Sequence, residues 1–293
     1  MSGVEKNEGE PLAPGLYLVA TPIGNLEDIT LRALRVLRSV DRIACEDTRQ
    51  TQKLLNHFGI QKPTVSYHMH NETGRAAELV EQLRAGARIA VVSDAGTPGI
   101  ADPGAQIASA ALDAGIPVFP VPGANAAISA LVGSGLSAET FTFLGFLPAK
   151  SGQRRTALEH LRGQSSALGT CLFYEAPHRM VESLADLEAV FGGGQYVVVA
   201  RELTKLHEEF LRGTVREVRA ALSARDSVRG EMVLMFAPKT AATDAPVASI
   251  AEEVRTLMRE QNLDEKDALK RVAKSRGIGK SDAYRELQRE RSR

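Results

Sequence analysis

Residues 88–104 read RIAVVSDAGTPGIADPG and combine a short apolar run with a long, turn-rich loop. The apolar run predicts a buried strand of the kind found in parallel sheets. Three glycines, two prolines and two acidic residues lie within the eleven residues 94–104. A loop of this composition allows the backbone to approach a ligand closely. The alternative interpretation is a tight turn in which Asp102 caps the next helix and Pro103 occupies its first position.

Strands and helices alternate on both sides of this loop. Further strands are predicted at 15–20, 42–46, 64–68 and 117–121, and the segments between them carry apolar residues at helical spacing. This order indicates βαβ units and a mostly parallel sheet. Ligands bind such sheets at the carboxyl ends of the strands. We therefore expect the loops at 21–25, 94–104 and 122–126 to meet at one edge and to form the site there.

The pattern changes after residue 146, where strands can pair without long crossovers. We predict strands at 170–175, 195–201, 207–214 and 231–238, and therefore a second α/β domain with mixed strand directions. The expected organisation is a disordered tail at 1–14, α/β domains at 15–146 and 147–238, a linker at 239–247 and a helical module at 248–293.

The net charge of zero, from 36 basic and 36 acidic residues, counts against a nucleic-acid binder unless the basic residues are concentrated locally. From Lys270 onward the chain has nine basic residues and three acidic ones. Arg276-Gly277-Ile278-Gly279 within this segment resembles a helix–turn–helix corner. The basic tail is therefore a candidate RNA-binding surface, and a solvated helix face is the alternative.

The two cysteines, Cys45 and Cys171, lie in apolar runs and match no disulfide or zinc spacing. Buried free thiols and no bound metal are therefore expected. No apolar stretch approaches the roughly 20 residues of a membrane helix, and residues 1–14 do not resemble a signal peptide. These features favour a soluble, cytoplasmic protein without membrane contact.

Two polar segments of the second domain could also carry chemistry. Residues 174–179, YEAPHR, follow a predicted strand, and Pro177 can begin a helix that has His178 and Arg179 in its first turn. An arginine there is unfavourable for the helix dipole and suggests an anionic ligand, whereas a solvated first turn is the alternative. Residues 201–205, RELTK, join two strands and could equally form an ordinary exposed hairpin. No dinucleotide-binding or Walker motif is present.

Seven short motifs now identify a family. TPIGNLEDIT, EDTR, SDAGTPGIADPG, PGANAA, FLPAK, YEAPHR and RELTK occur in this order between about Leu16 and Pro238. Together they resemble the tetrapyrrole methylase superfamily. The resemblance is greatest to its bacterial branch of 16S rRNA (cytidine-2′-O)-methyltransferases, which modify the decoding region. The terminal helical module also resembles the extra domain of that branch.

The resemblance implies an α/β, two-domain tetrapyrrole-methylase-like fold with S-adenosylmethionine (SAM) in the cleft between the domains. It also implies a homodimer and a substrate of small-subunit ribosomal RNA or the 30S subunit. Carried over by position, the SAM contacts are Asp94, Thr97, Pro98, Gly99, Ile100, Ala101, Pro122, Gly123, Ala124, Asn125, Ala126, Tyr174, Gly230 and Glu231. The superfamily usually has Gly-Asp-Pro where this chain has Gly96-Thr97-Pro98. The role of that acid is therefore missing or passes to Asp94 or Asp102.

A ribose hydroxyl is a poor nucleophile at neutral pH, so a general base or a nearby cation should assist methyl transfer. His178 is the candidate base, and Arg179 and Lys205 are the candidate cations. The alternatives are Glu46, Asp47 and Arg49, which follow the second strand. RNA phosphates should contact the basic tail and Lys150, Arg154 and Arg155.

Two rival functions remain open. The same SAM cleft could serve methylation of a tetrapyrrole-like small molecule, which would have no use for a basic terminal module. The chain could also be a non-catalytic RNA- or nucleotide-binding module.

Overall fold

The computed structural model describes residues 11–69, 71–164, 168–238, 250–261, 263–276 and 279–291. The chain divides into two compact units, Met1–Pro238 and Lys239–Arg293. Most of the predicted tail at 1–14 and all of the predicted linker at 239–247 lie outside the described residues. Within the described residues, no helix combines the length and the apolar character that a membrane crossing requires.

The first sheet of the larger unit consists of five parallel strands in the order β3-β2-β4-β1-β5. These strands, β1 to β5, span Gly15–Val19, Arg42–Cys45, Thr64–Ser66, Arg88–Val92 and Val118–Val121. β1 and β4 are central and almost fully buried, which explains their continuous apolar sequences. All five strands were predicted from the sequence, with ends that differ by one or two residues.

Helices cover both faces of this sheet. The helices α1 to α4 span Leu31–Ser39, Thr48–His57, Glu72–Arg84 and Ala105–Asp113. On one face, Leu37 of α1 and Leu55 of α2 are buried in a cluster with sheet residues. On the other face, Leu79 of α3 and Ile107 of α4 do the same. Because every strand-to-helix loop starts at the carboxyl end of a strand, these loops share one edge of the sheet.

The second sheet is mixed and has the order β6-β7-β10-β8-β9. Its strands, β6 to β10, span Phe141–Phe146, Thr170–Glu175, Tyr196–Arg201, Glu209–Thr214 and Met232–Phe236. β6 pairs with β7 in parallel, and the other pairs are antiparallel. β6 was not predicted from the sequence, and residues 141–146 were expected to belong to the first domain. Pairing with β7 assigns them instead to the second sheet.

The two faces of the second sheet are covered by different parts of the chain. α5 (Ala126–Ser134), which follows the first sheet, packs on one face through Ala127, Ala130 and Leu131. The other face is covered by α6, α7 and α8, which span Ser151–Gly163, Pro177–Phe191 and Val215–Ser223. The loops at the edge of the first sheet are thereby held next to the second sheet. The structure confirms the expected α/β class.

The smaller unit contains three helices in its described residues, as expected for the C-terminal module. These helices, α9 to α11, span Ile250–Gln261, Glu265–Ser275 and Lys280–Arg291. Val254, Leu269 and Leu287 contribute to its apolar core. Arg276 pairs with Glu253 at 2.9 Å. In the predicted helix–turn–helix corner, Gly277 and Ile278 lie outside the described residues.

A buried arginine joins α6 to α7, and this overturns one expectation about RNA binding. The Arg154 side chain is only 1% exposed and its Nε lies 2.7 Å from a carboxylate oxygen of Asp186. Its Nη1 also donates to the carbonyl oxygens of Pro148 and Ala149. Arg154 is therefore a structural residue and cannot contact RNA phosphates, contrary to the sequence prediction. Its neighbours Lys150 and Arg155 are exposed.

We predict that Arg154→Ala lowers the free energy of unfolding by about 3–5 kcal/mol, because it leaves the Asp186 carboxylate and two carbonyls without their buried partner. Urea denaturation followed by circular dichroism measures this change. The matched control is Arg155→Ala, which removes an exposed arginine from the same helix and should change stability by less than about 0.5 kcal/mol. Equal effects of the two substitutions would contradict the structural role of Arg154.

Candidate active site

Backbone hydrogen bonds lock together the loops that follow β1 and β4. The amide of Thr21 donates to the carbonyl of Gly96 at 2.9 Å, and the amide of Gly96 donates back at 3.0 Å. The Thr21 hydroxyl also donates to the carbonyl of Ser93. The loop after β5 joins them because the Thr97 hydroxyl donates to the carbonyl of Ala124 at 3.2 Å. The three loops therefore converge as the sequence predicted.

The loop after β4 has an unusual backbone. Gly96 and Gly99 both have a φ of 83°, and Ala101 has a φ of 62°. A non-glycine residue in this region costs about 1–3 kcal/mol and often marks a functional site. The helix α4 begins at Ala105 with Gly104 as its N-cap residue. The interpretation of Asp102 as that cap is therefore wrong, and its side chain is available for another role.

A cleft of about 320 Å³ lies between these loops and the second sheet. Ile23, Asp94 and Thr97 belong to the wall on the side of the first sheet. Tyr174, Leu203 and Val233 belong to the opposite wall. Ligand sites are typically concave and mostly apolar, with a few polar groups that orient the ligand. This cleft has that character.

Several of the predicted SAM contacts line the cleft, and the others surround it. The lining includes Asp94, Thr97, Ile100, Ala126, Tyr174 and Glu231. The residues outside the lining are Pro98, Gly99, Ala101, Pro122, Gly123, Ala124, Asn125 and Gly230. Some of these hold the loops in place. Asn125 caps α5 by accepting a hydrogen bond from the amide of Ile128, and a Cβ at Gly123 would lie 2.9 Å from Cβ of Ala20.

Most of the apolar wall of the cleft was not predicted from the sequence. The structure adds Ile23, Phe146, Leu203, Met232 and Val233 to the cleft. Ile23 and Leu203 belong to the motifs TPIGN and RELTK, so their position in those motifs could have marked them as site residues. Phe146 likewise begins the motif FLPAK. Met232 and Val233 carry no such signal, because their role depends on how the second sheet faces the first.

Acidic residues are concentrated at the end of the cleft formed by the first sheet. Burial, together with the charges of Glu46 and Asp94, raises the pKa of Asp102 to about 6, whereas a hydrogen bond with Ser93 acts in the opposite direction. Burial also raises the pKa of Glu46, with a further contribution from Asp94. A negative region enclosed in this way attracts a positively charged ligand group.

Tyr174 connects the second sheet to α5 across the cleft. Its ring makes edge contacts with Phe143 and Phe146 at centroid distances of 4.9 and 5.7 Å. Burial raises the pKa of its hydroxyl, and a hydrogen bond with the backbone of Ala127 acts against this increase. The neutral phenol therefore provides a flat, mostly apolar surface with one polar atom.

Lys205 occupies the boundary between the two halves of the site. Its Nζ lies 2.7 Å from Oε1 of Glu202 and 3.0 Å from Oε2 of Glu231. A Cβ added to Gly24, which has a φ of 154°, would lie 2.5 Å from Cγ of Lys205. The lysine chain therefore rests on the backbone of the loop after β1. Glu202 and Thr204 have φ values of 51° and 66°, so this loop, like the one after β4, is strained.

Like Lys205, the other two predicted catalytic residues do not line the cleft. Arg179 lies beside the fully buried carboxylate of Glu175, with Nε 3.2 Å from Oε1, and also donates to the carbonyl of Leu147. Its guanidinium is therefore engaged in structural contacts, and it does not line the cleft. His178 is exposed at the second position of α7 and is also outside the lining, although its neighbour Pro177 is part of it.

The three alternatives that follow β2 also lie outside the cleft lining. Asp47 caps α2 by accepting a hydrogen bond from the amide of Arg49, whose side chain pairs with it at 2.8 Å. These hydrogen bonds lower the pKa of Asp47 to about 2. Asp47 therefore stays ionised, and Arg49 is engaged with it. Glu46 contributes to the negative region near Asp102.

Comparisons with known proteins show the family of the chain. The family model for tetrapyrrole (corrin/porphyrin) methylases matches residues 15–219. Ribosomal RNA small subunit methyltransferase I of Halalkalibacterium halodurans is 45% identical over 279 residues, which is 92% of this chain and 93% of that protein. The protein of the same name from Synechocystis sp. is 46% identical over 275 residues, with coverages of 94% and 92%.

Solved structures show the same fold at low sequence identity. A diphthine synthase superimposes with a TM-score of 0.60 at 16% identity, covering 77% of this chain and 90% of its own. Cobalt precorrin-4 methyltransferase gives a TM-score of 0.54 at 16% identity, with coverages of 75% and 94%. The comparisons confirm the resemblance and SAM as the expected cofactor. The chain belongs to the tetrapyrrole methylase family of SAM-dependent methyltransferases.

Proposed function

We propose that this protein transfers a methyl group from SAM to the ribose 2′-hydroxyl of a cytidine in the decoding region of 16S ribosomal RNA. The observation that carries the proposal is the cleft between the two sheets, in a chain that matches relatives named for methylation of small-subunit ribosomal RNA over more than nine-tenths of its length. A protein with this substrate works where ribosomes are, in the cytoplasm.

The residues of the cleft fit SAM. Ile23, Leu203 and Val233 offer apolar surface to an adenine ring. Asp94 and Asp102 lie at the acidic end, where carboxylates can accept hydrogen bonds from ribose hydroxyls or attract a cationic group. These two acids supply the function of the aspartate that the family usually has where this chain has Thr97.

SAM supplies a methyl group that is already activated by a sulfonium, so the protein has to align the acceptor and exclude water. Burial acts to lower the pKa of Lys205, but its hydrogen bonds to Glu202 and Glu231 outweigh this effect and raise it. Lys205 therefore stays protonated and serves as a cation near the acceptor oxygen, not as a base. His178 is the proposed general base, because it is exposed and adjoins the lining residue Pro177.

The family resemblance also supports a homodimer. Ile128 and Val132, one turn apart on α5, are 44% and 74% exposed, and a partner would cover them. Sedimentation analysis of the purified protein tests this point, and a monomer at micromolar concentration would contradict it.

The function is tested with small ribosomal subunits isolated from cells that lack the protein. Incubation with isotope-labelled SAM and the purified protein should introduce one 2′-O-methyl group, which mapping of the RNA locates at a decoding-region cytidine. Transfer to a porphyrinogen but not to RNA would favour the small-molecule rival. RNA binding without transfer to either substrate would favour the non-catalytic rival.

The raised pKa of Asp102 predicts how SAM binding depends on pH. A cationic ligand favours the ionised carboxylate, so binding should lower this pKa from about 6 and release protons. Affinity should be nearly constant above pH 6 and should fall below it, by at most about tenfold per pH unit. Titration calorimetry between pH 5 and 8 measures the trend.

Two variants identify the group responsible for this trend. Asp102→Asn should remove the decrease at low pH, whereas Asp113→Asn, at the exposed end of α4, should keep it. A decrease of the same slope in Asp102→Asn would contradict the assignment.

His178→Ala should lower kcat by about 10²–10⁴, the range for loss of a general base, while the dissociation constant for SAM stays unchanged. Single-turnover methylation of 30S subunits and calorimetry measure the two quantities. His160→Ala removes an exposed histidine from α6 and is the matched control. Turnover of His178→Ala at the level of the control would remove His178 as the base.

A further inference from the structure

We propose that a groove beside α2, outside the SAM cleft, holds the phosphate backbone of the RNA strand next to the methylated nucleotide, and that Lys53 and His57 are its phosphate-binding residues. This inference rests on the proposed function. It names a contact surface different from the basic residues that the sequence suggested, namely Lys150, Arg155 and the C-terminal helices.

The groove has a volume of about 680 Å³ and lies between the loop after β1 and the exposed side of α2. It is continuous with the SAM cleft, because Ile23, Asp94, Ala95 and Glu231 line both cavities. A methyl donor in one cavity and an acceptor strand in the other would meet at these four residues. The position of the groove therefore suits the polymer that carries the acceptor hydroxyl.

The side of α2 that faces the groove is mostly polar and carries no acidic residue. Gln50, Lys53 and His57 lie three and four residues apart on this helix and all line the groove. The sequence of α2, TRQTQKLLNH, contains no aspartate or glutamate. The carboxylate of the preceding residue, Asp47, is engaged with Arg49. A phosphate chain placed along this face thus meets donors and positive charge.

Lys53 differs from Lys205 in its partners. Among the described residues, no carboxylate lies within ion-pairing distance of the Lys53 ammonium, which donates to the side-chain oxygen of Gln50 at 3.1 Å. Lys205 lies at the end of the groove near the cleft and is paired with two glutamates. Lys53 can therefore neutralise a phosphate directly, whereas Lys205 lies near the position proposed for methyl transfer.

Two apolar side chains give the groove a mixed surface. Leu26 is 39% exposed, and Leu54 is half-buried, and both line it. Such residues can pack against sugar carbons and base edges while the cations contact phosphates. The chain has no tryptophan, so recognition through a groove of mixed apolar and polar surface agrees with its composition better than stacking on large aromatic residues.

Lys53→Glu tests the inference. Methylation of 30S subunits should show an increase in KM of tenfold or more, with little change in kcat and no change in the dissociation constant for SAM. The dependence of RNA affinity on salt should also weaken, with a slope smaller by about one for the lost phosphate contact. Lys53→Arg should restore the wild-type KM. Circular dichroism checks that the variants are folded.

Arg84→Glu is the matched control, because it makes the same charge change at an exposed residue at the end of α3, next to the amino-terminal side of β4. An unchanged KM and salt slope in Lys53→Glu would overturn the inference while the proposed function stands. Loss of SAM binding in this variant would also overturn it, because the groove would then serve the donor. Failure of the wild-type protein to methylate RNA would instead refute the proposed function.

Discussion

The packing of α5 against the second sheet determines the width of the cleft. α5 begins in a loop of the first sheet, yet its alanines and Leu131 are buried against Leu172 and Val233 of the second. Small residues make this contact possible, since a Cβ at Gly133 would lie 2.6 Å from the ring of Phe210. Arg212 of β9 also donates to the last carbonyls of α5. Because interiors are close-packed, a larger residue here would separate the walls of the site.

Much of the fold and part of the site could be predicted from local patterns. The apolar runs and helical spacings predicted the first sheet, and the glycine- and proline-rich loops marked its functional edge. β6 was missed because its strand pairing depends on β7, which is distant in sequence. Arg154 was assigned to the surface because arginines are usually exposed, and the carboxylate that holds it is 32 residues away. Asp102 was assigned as a cap because local rules cannot detect burial against Glu46 and Asp94.

The acidic end of the cleft is unfavourable without a ligand. Asp102 is partly buried near two other carboxylates, and its raised pKa means that its ionised form is less stable in the folded protein than it would be in water, although this form still predominates at neutral pH. A cationic ligand offsets part of the repulsion between these carboxylates. Relief of this repulsion then contributes to the free energy of ligand binding. The backbone at Ala101 in the same loop is also unfavourable by itself, because its φ is positive. Surrounding hydrogen bonds must hold it in place.

The two adjoining cavities, the cleft and the groove beside α2, have different kinds of surface. The cleft is mostly apolar with an acidic end, which suits a compact cation that carries an aromatic ring. The groove beside α2 presents Lys53 and His57 along its helix, and its acidic residues, Asp94 and Glu231, lie where it joins the cleft. A phosphate chain would thus be repelled by the acidic end of the cleft and attracted to the α2 side of the groove. A net charge of zero is therefore compatible with RNA binding, since affinity depends on the local field at the contact surface and not on the sum of all charges. The position of Lys205 between the cavities, held by Glu202 and Glu231, places one cation where the two fields meet.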